Sequence, residues 1–97
     1  MAEKTIIWSD NAKYELQKTL KFFTERNGSP NYSLKLLNET EELLNTLSKN
    51  NLIGRITSNN KTRVIPMKVY LIFYEINENS IEIVSFWDNR QDERTKK

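Results

Sequence analysis

Lys49, Arg55, Lys61, Arg63 and Lys68 lie in a stretch from Leu43 to Tyr74 that contains no Asp or Glu. Residues 1–42 carry seven acids and six bases, and residues 75–97 carry six and four. The net charge of +2 therefore understates how far the cations are concentrated. Two β-like runs then lead to Trp87-Asp88-Asn89-Arg90, which adds a ring, a carboxylate and a guanidinium. A small domain can aim several cations at one anionic surface, and a phosphate backbone is the commonest such surface. Arginine suits that task because its planar fork makes paired bonds to phosphate oxygens. Trp87 and Tyr70 have rings able to stack on splayed bases, whereas Tyr74 and Phe73, in mid-strand, and Trp8 read as packing residues.

The missing residue types narrow the chemistry further. The chain has no cysteine, which excludes a disulfide frame, a thiolate metal site and a cysteine nucleophile. It has no histidine, which removes the usual zinc ligand, the usual general base and every triad that needs an imidazole. No apolar run approaches membrane-spanning length, and the N-terminus has no apolar signal core. The expectation is a cytosolic, soluble protein with no metal, no small-molecule cofactor and no membrane contact.

The elements that must carry these side chains are legible from periodicity. Lys4–Trp8 is a short β-type run, and either Ser9 or Asp10 can cap the helix that follows. Ala12, Leu16, Leu20 and Phe23 recur at spacings that share one helical face, and Asn27-Gly28 supplies the stop. Ser29-Pro30 restarts a helix, with serine as cap and proline in the first helical position. Its apolar stripe is Leu36, Leu37, Thr40, Leu43, Leu44 and Leu47. Two amphipathic helices so close together predict an antiparallel hairpin.

Asn50–Gly54 and Ser58–Asn60 read as turns, and Thr62–Met67 as a strand in which Pro66 marks an edge, a bulge or an end. Val69–Ile76 is apolar on both faces, as in a central strand, and Asn77–Ser80 turns the chain into a partner strand over Ile81–Trp87. From about residue 88 to 97 the sequence is a charged tail expected to fray. The whole predicts one domain over residues 1–97 of the α+β class, ordered β-α-α-β-β-β, with a helical hairpin on one face of a mostly antiparallel sheet.

This order of elements resembles the RelE/ParE superfamily of bacterial type II toxins. The resemblance rests on Ile7-Trp8-Ser9 leading into Ala12, and on Gly54-Arg55 after the second helix. It also rests on Arg63-Val64-Ile65, the run Tyr70–Ile76, and the closing Phe86–Asp92. It implies a toxin held inactive by a cognate antitoxin. RelE-like members act on the ribosome and cut mRNA, whereas ParE-like members poison DNA gyrase without catalysis. The chain is less basic than RelE-like members, has no lysine cluster before the arginine strand, and has no tyrosine in its C-terminal tail.

A metal-independent endoribonuclease needs a proton acceptor, cations on the scissile phosphate, and a proton for the leaving oxygen. On that reading Arg63 and Arg90 are the candidate catalytic cations, with Asp88 as base or, preferably, as the group that orients Arg90. Arg55, Lys61, Lys68 and Trp87 would bind RNA and its phosphates. The acid-free stretch and Arg90 favour this ribosome-dependent mRNA endonuclease. Gyrase inhibition by protein binding is the alternative, and a nucleic-acid-binding domain without toxicity is a third reading. Contact with a negatively charged target expects Arg55, Arg63 and Arg90 to share one rim of the sheet.

Overall fold

The computed structural model describes residues 3–89. A first strand, β1 (Thr5–Trp8), runs into helix α1 (Asp10–Asn27) and then α2 (Asn31–Lys49). Four strands follow: β2 (Arg55–Ile56), β3 (Thr62–Met67), β4 (Tyr70–Ile76) and β5 (Ser80–Asp88). They form one sheet in the order β1-β5-β4-β3-β2, antiparallel except where β1 lies parallel to β5. The predicted α+β architecture is thus present, with β4 at the centre of the sheet. The two-residue β2 is an addition, too short to show any periodicity in the sequence.

Helix boundaries follow local chemistry. Ser9 Oγ accepts a hydrogen bond from Ala12 N–H at 3.0 Å, so serine rather than Asp10 is the cap of α1. Asp10 instead places a negative charge in the first turn, and Arg26 a positive one in the last, each opposing the local end of the helix dipole. Gly28 ends α1 at φ 66°, donating its N–H to Thr24 C=O. Pro30 stands one position earlier than expected, in the cap of α2, while Ser29 Oγ accepts from Asn31 N–H at 3.2 Å. The serine still serves a free donor at the helix start. At the crossing of the hairpin, Ser33 Oγ donates to Leu20 C=O at 2.7 Å, so its burial leaves no polar group unsatisfied.

One face of the sheet is covered by the hairpin. Tyr70, Ile72, Tyr74, Ile81, Ile83 and Phe86 point to that side and pack with Ala12, Leu16, Leu36, Leu44 and Leu47. At about 25 cal/mol per Å2 of apolar surface removed from water, this shared core is the main source of stability. Pro66 falls where β3 extends beyond its only pairing with β2, at Arg63 and Val64, so the missing N–H leaves no ladder bond broken. Val84 is an extra residue in β5, opposite the Phe73–Tyr74 step of β4. Helix α1 clamps this bulge: Asn11 Nδ2 donates to Val84 C=O at 3.2 Å, and Glu15 Oε1 accepts from Phe86 N–H and Ser85 Oγ, each at 2.9 Å.

Among the described residues, no helix packs on the opposite face. Cross-strand pairs share a face, so the register puts Val64, Phe73 and Ser85, and then Leu71 and Trp87, on this uncovered side. None of the helices described is long and apolar enough to cross a membrane.

Candidate functional site

The side chain that the fold holds most firmly near the cationic stretch is Tyr74. Its ring is fully buried in mid-β4, and its hydroxyl reaches out under the loop between α2 and β2. There it donates to Asn51 C=O at 2.8 Å and accepts from Gly54 N–H at 2.9 Å. Arg63, directly across from Tyr74 on β3, donates from Nη1 to Gly54 C=O at 2.7 Å. Burial pushes the Tyr74 phenol above its ordinary pKa, while the Gly54 N–H and the Arg63 charge pull the other way. Asn51 Nδ2 adds bonds back to Leu47 C=O and Ser48 C=O at 2.9 and 3.2 Å. The loop is thereby fastened from inside at both ends, through Asn51 C=O and through the N–H and C=O of Gly54.

Gly54 is required by this arrangement. A Cβ at that position would stand 2.5 Å from the Tyr74 hydroxyl and 2.7 Å from the adjoining ring carbon. The loop lies on the tyrosine too closely for any side chain. Sequence reading takes Gly54 as a helix breaker and Tyr74 as plain core. The close approach of two residues twenty apart has no local signal beyond the glycine itself.

The expected arginine rim does not form among the described residues. Arg55 pairs with Val64, on the uncovered face of the sheet, whereas Arg63 pairs with Ile56 and Tyr74, on the helix side. One residue of offset along paired strands sends them to opposite faces. Lys61 and Lys68 flank β3 at opposite ends, roughly 20 Å apart by strand geometry. Each meets a carboxylate: Lys61 Nζ is 3.7 Å from Glu75, and Lys68 Nζ is 3.0 Å from Glu39. Lys68 thus has an acidic neighbour in place of the cations that would have made it a base. Arg90 lies outside the described residues, as does most of the tail placed at 88–97.

Asp88 ends β5 opposite Tyr70, on the helix side, while Arg63 is opposite Tyr74. Four residues of β4 separate those positions, about 13 Å along the strand. The two candidates are not brought together. Tyr70 is wholly buried and stacks on Phe86 at 5.0 Å between centroids, so it is a core ring and no base platform. Phe73, expected inside, is partly exposed on the uncovered face because the register places it with Ser85 and Val64. There Phe73, Leu71, Val84 and Trp87 line a shallow groove of about 440 Å3, edged by Thr62 and Ser85. Trp87 is therefore available at a surface, within an apolar setting.

Among the described residues no group of three or more Asp or Glu is placed to hold a metal ion. Leu52, Ile53 and Ile56, all on or beside the loop that Tyr74 and Arg63 fasten, are exposed large apolar side chains, as are Tyr14, Phe22 and Leu34 on the helices. The arrangement is suited to presenting a rigid, partly apolar edge, and the guanidinium of Arg63 is used to build it.

Comparison with known proteins agrees with the fold. The family model described as the ParE toxin of the type II toxin–antitoxin system, parDE, matches residues 6–93. Among solved structures, the chromosomal ParDE TA system from P. aeruginosa superposes with a TM-score of 0.75 at 17% identity. That match covers 89% of this chain and 96% of the other. No curated protein matches the chain in sequence.

Proposed function

Because the chain belongs to the ParE toxin family of type II toxin–antitoxin systems, a membership that supplies a cognate antitoxin as partner, we propose that it arrests growth by binding DNA gyrase and that it cuts no RNA. The observation that carries this reading is the engagement of Arg63. Its guanidinium donates to Gly54 C=O at 2.7 Å and serves the fold, where a nuclease would need it on a scissile phosphate. Lys61 and Lys68 stand beside carboxylates at opposite ends of β3, which supports the same reading. A toxin that inhibits by occupying a protein surface requires neither a proton acceptor nor converging cations. It requires a shaped, stable contact edge.

The test is direct. Purified protein added to gyrase and relaxed plasmid is expected to block supercoiling or to accumulate cleaved DNA, and induced cells are expected to keep their transcripts intact. Codon-phased cuts in translated mRNA, together with undisturbed supercoiling, would return the function to the ribosome-dependent endonuclease.

A further inference from the structure

We infer that residues 51–56 form a preformed docking ridge by which the toxin enters an apolar groove with an acidic rim on its protein target. The inference rests on the reading of gyrase as that target. Within five residues the ridge exposes Leu52 at 66%, Ile53 at 39% and Ile56 at 42% of their accessible area. Single exposed aliphatics are ordinary, but three on one short segment are a candidate contact.

Two further observations make the segment a built feature. First, it is rigidly backed: the buried Tyr74 hydroxyl bridges Asn51 C=O and Gly54 N–H, and Arg63 holds Gly54 C=O. Gly54 has no room for a side chain against the tyrosine, so the loop cannot be replaced by a looser packing of another residue. A loop already held in one shape loses little freedom on association, which is how preorganisation raises affinity.

Second, the charged residues next to the ridge along the chain have one sign. Lys49 precedes it and Arg55 lies within it, both exposed, and no acid occurs from Leu43 to Tyr74. An apolar strip with cationic margins is complementary to an apolar groove with acidic margins. Nucleic acid fits less well, because aliphatic side chains offer no ring on which bases stack and Arg63 is turned inward to Gly54.

The experiment compares the full chain with L52S/I53S, L52K and L52E in gyrase supercoiling inhibition and in binding to immobilised gyrase. Thermal unfolding monitors the fold; the substituted side chains are exposed, so it should be retained. L52S/I53S is expected to weaken binding about tenfold or more, as loss of a central apolar anchor does. L52E is expected to be weaker than L52K, since it would oppose an acidic rim. Unchanged inhibition by L52S/I53S overturns the inference while leaving gyrase as the target, and equal binding by L52E and L52K overturns the acidic rim. If the wild type binds duplex DNA alone and L52S/I53S abolishes it, the ridge is a nucleic-acid contact and the inference falls. A wild type without effect on gyrase removes the functional reading and this inference together.

Discussion

The hydroxyl of Tyr74 sits 2.9 Å from the backbone nitrogen of Gly54, so close that the glycine has no space for a β-carbon. This contact joins the centre of the sheet to the loop after α2 and determines how the cationic stretch is presented. Arg63, which the sequence offers as a phosphate ligand, becomes the third member of that latch.

Gly54→Ala is therefore expected to destabilise the protein by about 1–3 kcal/mol, the usual range for overpacking. Adding Tyr74→Phe removes the nearest atom but leaves the ring carbon at 2.7 Å. The double variant should consequently lose less than the sum of the two single losses. Urea unfolding of all four proteins checks this; strict additivity would mean that the two sites do not touch in solution.

Tyr74→Phe alone leaves Gly54 N–H and Asn51 C=O without their partner, an expected loss of about 1–3 kcal/mol. The variant also has a pH signature. Because the folded phenol titrates above its ordinary value of 10.0, its contribution to stability is complete below that pH. It declines as pH rises through the folded pKa, since the unfolded chain releases the proton first. Stability curves from neutral pH to the alkaline limit should fall less steeply for Tyr74→Phe than for wild type. An identical alkaline slope would show that the phenol is not buried in this way.

Glu15 ties helix α1 to the bulge of β5. One carboxylate oxygen accepts from Phe86 N–H and Ser85 Oγ beside the Val84 bulge, and from Asn11 Nδ2 at 3.3 Å. Glu15→Ala should cost about 1–3 kcal/mol by leaving partly buried donors unpaired, whereas Glu15→Gln keeps an acceptor and should lose less. Circular dichroism melts give the comparison. If alanine and glutamine are equally tolerated, the bulge does not depend on α1.

Arg63→Lys retains a cation but not the reach and fork of the guanidinium, so it should weaken the latch more than it changes local charge. The expected result is a lower unfolding midpoint, with gyrase inhibition preserved wherever the protein is folded. Arg63→Ala should behave similarly, losing about 1–2 kcal/mol. An Arg63→Ala protein that remains fully folded yet inactive would place the side chain in contact with the target.

Much of the architecture was legible in local pattern. Ser9 before Ala12, Gly28 after Asn27, and the Leu36–Leu47 stripe marked both helices, because capping and amphipathic spacing are short-range properties. The apolar residues on both faces of Tyr70–Ile76 likewise marked the central strand. The site was less legible. Tyr70 and Phe73 exchanged expected places, the first entering the core and the second the open face, because register alone chooses which alternate side chains face the helices.

By itself the sequence determined the element order, the acid-free distribution of charge, and the absence of imidazole and thiol chemistry. Each of these is a matter of composition or of neighbours along the chain. Only the tertiary structure decided where the cations point: Arg55 and Arg63 to opposite sides, Lys61 to Glu75, Lys68 to Glu39. Strand register and the close seating of Gly54 on Tyr74 join residues far apart in the chain, and no local pattern of residue types encodes those distances.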